Sequence, residues 1–205
     1  MSERTVFLHD VPLEVARERF ETALRDADVF SATPGGASSG FDTERVALDD
    51  ALDRVTARAV VARLGAPGVL VHGIAIKPGK PTVLAVCDGT PVIGLPGNPA
   101  SALVVAWRIV VPLVRLLGGE RIGADAFGDA RETSAVLDVP VQSRPGREDF
   151  IPCALARSAD GALHATPVFG SSNLIFTLVR ADALIAVPLD RSGLAAGERV
   201  RVILP

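Results

Sequence analysis

The sequence predicts an α/β fold, with a mostly parallel sheet flanked by helices, followed by a small all-β barrel-like domain. The first observation is that apolar runs over residues 5–117 alternate between strand and helix spacing, the order typical of a parallel sheet covered by helices. The second is that only short alternating runs, separated by turns, follow position 131. The polar, glycine-containing stretch 120–131 predicts a boundary between domains at 1–120 and 131–205.

In the first domain, compact apolar runs predict strands and a spacing of three to four residues predicts helices. Asp88-Gly89 predicts a two-residue hairpin turn. Asn98 is predicted to cap the last helix, with Pro99 in its first turn, and Gly118-Gly119 to end it. The expected elements are strand 5–8, helix 13–25, strand 27–32, helix 43–64, strand 69–71, the hairpin of 82–86 with 92–94, and a helix to 117.

In the second domain, alternation with a period of two residues predicts five strands. Turns such as Asp160-Gly161 and Ala196-Gly197 separate them. A compact barrel or sandwich is therefore expected. The predicted strands are 134–139, 150–155, 163–168, 184–187 and 199–203.

Composition argues against several classes of function. The formal net charge of −3 disfavours sequence-independent nucleic-acid binding, which needs a basic face. The apolar run 102–107 stops at Arg108, so we expect no membrane span. Cys87 and Cys153 each have apolar neighbours, which predicts two separate buried thiols of a cytoplasmic protein. The motifs of phosphate-loop NTPases and nicotinamide enzymes do not occur in the sequence.

Three loops of the first domain are candidates for binding a ligand. Residues 35–40 and 94–102 each join a strand to a helix, where backbone amides at the helix start attract an anion. Residues 77–81, Lys-Pro-Gly-Lys-Pro, combine two stiffening prolines with a glycine that permits a sharp bend. Each loop alone is compatible with a tight turn. Together, at the carboxyl edge of one sheet, they predict a site for an anion or a nucleotide-like ligand.

Lysine usage singles out the second of these loops. Of the 21 basic residues, 19 are arginine, and the two lysines are Lys77 and Lys80. A compact, strongly hydrated ammonium group is therefore predicted to be needed at this loop, where arginine would not serve. The alternative is that two surface lysines happen to be neighbours.

These loops resemble those of the molybdopterin molybdenumtransferases, the MoeA family that includes the gephyrin E domain. The third loop is shared with the molybdopterin adenylyltransferases, whereas the lysine loop and the all-β tail favour the molybdenumtransferase branch. The resemblance extends over nearly the whole chain, from Thr5 onward. It is carried by Gly35-Gly36 with Ser38 and Gly40, by 77–81, by 94–99 with Ser101-Ala102, by 146–150, by 170–172 and by 180–182.

The resemblance implies that molybdate is inserted into adenylylated molybdopterin with release of AMP, and that Mg²⁺ is the metal. It implies that Lys77 and Lys80 bind the oxyanion or phosphate, and that the acidic pair Asp10 and Asp42 surrounds the metal and water. Further residues, in the loops and the tail, are expected to bind the cofactor: Gly35, Gly36, Ser38, Gly94, Pro96, Gly97, Asn98, Pro99, Ser101, Arg147 and Ser172.

The sequence also departs from the family pattern. The family's two N-terminal domains and its Gly-Asp-Glu motif have no counterpart in these 205 residues, so a homodimer or a partner that supplies them is expected. The family's acidic position after Gly40 fits Asp42 with a gap, or Asp53 when counted back from Gly65. The alternative function is a non-catalytic molybdopterin-binding module or one half of a split enzyme. An adenylyltransferase is a weaker alternative, which the β tail disfavours.

Overall fold

The computed structural model describes residues 10–29, 61, 63–119, 131–169 and 180–204. The predicted strand 5–8, nearly all of the predicted helix 43–64 and the connector 120–130 lie outside these residues. The described elements are α1 (Leu13–Asp26), β1 (Pro67–His72), β2 (Ile76–Lys77), β3 (Val83–Cys87), β4 (Thr90–Gly94), α2 (Pro99–Val105), a π-helical turn (Ala106–Val110), α3 (Val111–Leu117), β5 (Glu132–Leu137), β6 (Val141–Gln142), β7 (Glu148–Arg157), β8 (Leu163–Pro167), β9 (Ala183–Val187), β10 (Gly193–Leu194) and β11 (Arg199–Ile203).

The first sheet has the order β1-β3-β4, and both of its strand pairs are antiparallel. The turn between β3 and β4 is the predicted one, because Asp88 and Gly89 both have positive φ, at 47° and 80°. The predicted hairpin of β3 and β4 is confirmed, but the sequence also predicted a mostly parallel sheet, and for the pairing of β1 with β3 that prediction is wrong. A parallel pair needs a crossover of about a dozen residues or more, usually with a helix, and residues 73–82 between β1 and β3 contain no helix.

The predicted strand 27–32 also differs at its start. Ala27 and Asp28 continue the end of α1 as a turn, with their amides donating to the carbonyl oxygens of Ala23 and Arg25. These residues close the end of the helix and do not begin a strand, because their amides satisfy two of its last carbonyl groups. Residues 30–32 lie outside the described part of the chain.

The second half of the chain forms a closed five-stranded β-barrel. Its order is β7-β8-β5-β11-β9, and pairing of β9 with β7 closes it. All five predicted strands are confirmed, and the choice between barrel and sandwich is settled in favour of the barrel. The short pair β6–β10 was not predicted, since two residues a strand show no alternation. Cys153 points into the barrel core and Cys87 is buried on β3, and both are free thiols, as predicted.

The helix that Asn98 caps is interrupted by the π turn between α2 and α3. Pro112 has no N–H to donate to the carbonyl oxygen of Arg108, which lies four residues earlier. The guanidinium of Arg17 on α1 donates to that oxygen. Because Pro112 does not donate to the carbonyl oxygen of Arg108, that oxygen accepts the hydrogen bond from Arg17, which joins α1 to this helix.

The helix Pro99–Leu117 is long and apolar enough, by length and composition, to cross a membrane. An 18-residue window of this 19-residue helix has a mean hydropathy of 1.9, so the apolar stretch continues past Arg108, where it was expected to stop. The same length and composition are found in core helices of globular proteins. Here 39% of the stretch is buried inside the protein, and the Arg108 side chain near its middle is almost fully buried.

Asp138, at the end of β5, forms a surface cluster with two side chains of β8. His164 Nδ1 lies 2.7 Å from Asp138 Oδ1, and the Thr166 hydroxyl donates to Asp138 Oδ2. The hydrogen bond from Thr166, followed by that from His164, lowers the pKa of Asp138. A lowered carboxylate pKa stabilises the fold above the unfolded pKa, and this stability is lost as the pH falls through the folded pKa.

We therefore expect Asp138→Asn to unfold at lower urea concentration than the wild type at pH 6. The difference between the two proteins should shrink progressively below about pH 3.9, the ordinary value for aspartate, because the wild-type carboxylate is then protonated too. Urea titrations followed by circular dichroism at several pH values measure this. Asp190→Asn, at an exposed turn, is the control; a gap that stays constant down to pH 2 contradicts the assignment.

Candidate functional site

The lysine loop between β2 and β3 is held by internal contacts. Gly79 is buried, and a Cβ placed on it would lie 2.7 Å from Ile76 Cδ1 and 2.9 Å from Val105 Cγ2. The Thr82 hydroxyl donates to the carbonyl oxygen of Gly79 at 2.6 Å. The carbonyl oxygen of Lys80 accepts from two backbone amides, those of residues 74 and 82. The loop backbone is therefore fixed against α2, while the side chains of Lys77 and Lys80 remain exposed.

Asp10 forms an ion pair with Lys80, the second lysine of this loop. Val11 forms a parallel bridge with Ile74, and the amide of Ala75 donates to the carbonyl oxygen of Val11 at 2.7 Å. This pairing places Asp10 beside the loop, with its Oδ2 2.7 Å from Lys80 Nζ. Two residues that were both assigned to the site, 70 positions apart in sequence, are thus in contact.

The barrel contributes the third cation through its strand β7. β2 pairs in parallel with β7, so that Lys77 stands opposite Asp149. Arg147, just before β7, donates from Nε to Asp149 Oδ1 at 2.8 Å and from Nη2 to Oδ2 at 3.5 Å. This places Arg147, predicted as a cofactor-binding residue, beside the strand that carries Lys77. Asp149 was not among the predicted site residues, although a spacing of two residues from Arg147 would put both side chains on one side of an extended segment.

Each described carboxylate of this cluster is paired with one cation. Asp10 pairs with Lys80 and Asp149 with Arg147. Within the described ranges, no carboxylate oxygen lies within 4 Å of the Lys77 ammonium. Lys77 therefore adds one uncompensated positive charge to the described part of the cluster, an arrangement suited to a phosphate or another oxyanion.

The third loop approaches α2 from the other end. Asn98 Oδ1 accepts from the amides of Ala100 and Ser101 at 3.0 and 3.3 Å, which confirms the predicted cap. Gly94 lies against β3, where an added Cβ would be 3.0 Å from Val83 Cβ. Gly97 is exposed, and nothing lies within 4 Å of the place where its Cβ would be. Of the remaining predicted residues here, Pro96 and Ser101 are buried and Pro99 is exposed.

The other predicted site residues cannot be compared with the structure. Gly35, Gly36, Ser38, Asp42 and Ser172 lie outside the described residues, as does the alternative Asp53. Over residues 10–29, 61, 63–119, 131–169 and 180–204, no group of three His, Cys, Asp or Glu side chains is placed to hold a metal.

The acidic residues near the lysine loop do not fit Mg²⁺ on their own. This ion requires several oxygen ligands in octahedral geometry. The exposed carboxylate of Asp10 already contacts an ammonium group, and the carboxylate of Asp149 is buried against a guanidinium. The arrangement of these described residues is therefore suited to an anion and not, by itself, to Mg²⁺.

A cluster of buried charges lies behind the site, between α1, the π turn and the barrel. The Arg108 guanidinium stands 5.1 Å from the centre of the Phe150 ring, and Arg201 donates to Glu148. Burial, and next the charge of Arg17, lower the pKa of Arg108 to about 9, so it is charged at neutral pH. Burial raises the pKa of Glu148, against the attraction of Arg201. These contacts fix the start of β7, and with it the position of Arg147 and its neighbours.

Two family models match the chain. The model described as "Probable molybdopterin binding domain" matches residues 13–116, and "MoeA C-terminal region (domain IV)" matches residues 134–204. Among curated relatives, the molybdopterin molybdenumtransferase of Haemophilus influenzae is 31% identical over 146 residues, which are 71% of this chain and 35% of the relative. That of a Nostoc species is 30% identical over 192 residues, 91% of this chain and 39% of the relative.

Solved structures agree with these matches. The molybdopterin biosynthesis moeA protein from Pyrococcus horikosii aligns with a TM-score of 0.54 at 36% identity, over 71% of this chain and 34% of that chain. A molybdenum cofactor biosynthesis protein from Pyrococcus furiosus aligns with a TM-score of 0.53 at 28% identity, over 67% and 45%. The chain spans 35% and 39% of the length of the two curated relatives described above.

Proposed function

Since the chain belongs to the molybdopterin molybdenumtransferase (MoeA) family, we propose that it acts in molybdenum cofactor biosynthesis, where molybdate is inserted into adenylylated molybdopterin and AMP is released. The observation that carries this proposal is the convergence of Lys77, Lys80 and Arg147, from two parts of the chain, on one loop and the adjoining strand. Both substrates are anions, and fixed cations bind such groups through charge-assisted hydrogen bonds.

In this proposal the cations have separate tasks. Lys77 donates to an oxyanion directly, since its ammonium group has no described carboxylate within 4 Å. Lys80 exchanges its contact with Asp10 for one with the ligand, which leaves the Asp10 carboxylate available to accept a proton or a hydrogen bond. The prolines and the buried Gly79 keep the loop from rearranging, so little conformational entropy is lost on binding.

The remaining predicted residues are part of the proposal because the resemblance to the family implies them. Gly35, Gly36, Gly97 and Asn98 would shape the cradle for the pterin and phosphate groups, and Ser172 would reach the site from the β domain. Mg²⁺ would need Asp42 or Asp53 in addition to Asp10, because the described carboxylates do not make a magnesium site. The parallel part of the sheet would involve the predicted strand 5–8.

The partner proposal follows from the length of the relatives. Because the chain corresponds to about a third to two fifths of them, we propose a homodimer or a partner protein that supplies the N-terminal domains. A cytoplasmic location without nucleic-acid or membrane binding is part of the same proposal. The alternative is a molybdopterin-binding module without catalysis, or one half of a split enzyme.

Release of AMP distinguishes these functions. The chain is mixed with adenylylated molybdopterin and molybdate, alone and together with a protein that contains the family's N-terminal domains, and AMP is quantified by chromatography. Release by the chain alone supports the complete enzyme, and release only by the mixture supports the split enzyme. Binding without release in either case identifies a binding module, and the absence of both binding and release rejects the proposal.

The two lysines are expected to matter for binding and not for folding. We expect Lys77→Ala or Lys80→Ala to weaken the binding of molybdopterin or AMP by about 1.5–3 kcal/mol, the range for a hydrogen bond to a charged group. The thermal melting of both variants should change little, because exposed loop lysines support little packing. Lysine-to-arginine variants should restore binding only in part, because a planar guanidinium differs in shape and hydration from an ammonium group.

Isothermal titration calorimetry, with thermal melts of each variant, measures both effects. Arg199→Ala, which removes an exposed cation from β11 on the barrel, is the matched control and should bind as the wild type does. If both alanine variants retain wild-type affinity, the lysine loop is not the binding site.

A further inference from the structure

The start of β7 directs its side chains alternately to two surroundings. Glu148 and Phe150 belong to the buried charge cluster, through Arg201 and Arg108. Asp149 points to the other face, opposite Lys77 of the neighbouring strand. Its side chain is 4% exposed, so its negative charge would be costly without a partner.

The partner is Arg147, and the geometry of the pair leaves one edge of the guanidinium available. Asp149 takes the edge formed by Nε and Nη2, at 2.8 and 3.5 Å. The remaining donors, on Nη1 and the outer side of Nη2, form the edge that binds oxyanions in a bidentate manner. The Arg147 side chain is 33% exposed, so part of it reaches solvent.

The backbone fixes where this pair stands. The Glu148 amide donates to the carbonyl oxygen of Ala75 at 2.9 Å, and the parallel register puts Asp149 opposite Lys77. A carboxylate held so rigidly can orient an arginine side chain that otherwise has many rotamers. Lys77 and the oriented Arg147 then offer an ammonium group and a guanidinium edge from adjacent strands.

We propose that Asp149 is a positioning residue, which holds Arg147 so that its outer edge and the Lys77 ammonium bind one tetrahedral oxyanion. This rests on the proposed function for the identity of the anion, which is molybdate or a phosphate group. Asp149 does not contact the anion, because both of its carboxylate oxygens accept from Arg147 and their negative charge would repel an anion. Its effect on binding is transmitted through Arg147.

The test is a double-mutant cycle, with sodium molybdate and, separately, sodium phosphate titrated into the full chain. Asp149→Asn keeps the shape of the side chain and removes its charge. We expect it to weaken binding about tenfold, the effect of losing one oriented hydrogen-bonding group. In an Arg147→Ala background, Asp149→Asn should cause no further loss, because the arginine it positions is absent. When Asp149→Asn is combined with Lys77→Ala, the two losses of affinity should multiply, because Asp149 does not act through Lys77.

Two further variants keep the test decisive. Arg147→Lys keeps the charge but cannot contact Asp149 and the anion at once, so it should bind like Asp149→Asn and carries the test if that variant does not fold. Glu198→Gln removes a comparable pair, with Arg191 at 2.9 Å elsewhere on the barrel, and should not alter binding.

The outcomes separate the two proposals. Wild-type affinity of Asp149→Asn, or losses that multiply with those of Arg147→Ala, would overturn the positioning role and leave the proposed function intact. Binding of phosphate but not molybdate by the wild type would contradict the proposed substrate, while the cycle with phosphate still decides the role of Asp149. Binding of neither anion would reject the oxyanion site itself.

Discussion

Arg108→Ala is expected to lower the free energy of unfolding by about 3–5 kcal/mol, the cost of removing one member of a buried charged cluster. The Arg108 side chain is 1% exposed and packs on Phe150 at 5.1 Å. Truncation removes this contact, opens a cavity and leaves Glu148 with Arg201 as its main countercharge. Because the cluster joins α1, the π turn and the barrel, the loss should appear as one cooperative transition at lower denaturant concentration.

Guanidinium chloride titrations followed by circular dichroism measure this change. Arg108→Met fills much of the same volume and should be less destabilising than alanine. Arg25→Ala, which removes an exposed ion pair with Glu21 on α1, should cost no more than about 0.5 kcal/mol. An Arg108→Ala protein as stable as Arg25→Ala would show that the buried cluster contributes nothing to the association of the two halves.

Gly79→Ala is expected to destabilise the protein by about 2–4 kcal/mol, the sum of backbone strain and overpacking. Gly79 has a φ of +125°, which an alanine adopts only under strain. The added methyl group would also lie 2.7 Å from Ile76 and 2.9 Å from Val105, which are themselves fully buried. The loop would have to move away from α2, and both lysines would move with it.

The measurements are the free energy of unfolding and the affinity for AMP. Gly97→Ala is a matched control from the neighbouring loop, since nothing lies within 4 Å of its Cβ position. It should leave stability within about 0.5 kcal/mol of the wild type. If Gly79→Ala retains both stability and binding, the loop is not held in place by its packing against α2.

Much of the local structure was predictable from neighbouring residues. The Asn98 cap, the Asp88-Gly89 turn and the five barrel strands each depend on preferences that act over a few positions. The two lysines were identified by composition and by the prolines around them. For the site, this local information was enough to indicate the lysine loop, whereas the tail residue Arg147 was indicated by the resemblance to the family.

What the sequence by itself determined was therefore the elements, their caps and turns, the family and the residue types of the lysine loop. Only the tertiary structure decided which distant elements pair: the antiparallel pairing of β1 with β3, the closure of β9 on β7, and the contact of Asp10 with Lys80. It also decided that Asp149 is buried opposite Lys77. The physical reason is that caps and turns are fixed by atoms close together along the chain. Strand partners and buried ion pairs instead depend on which surfaces, distant in sequence, exclude water from each other. The residue pattern of one segment does not identify the segment with which it will pair.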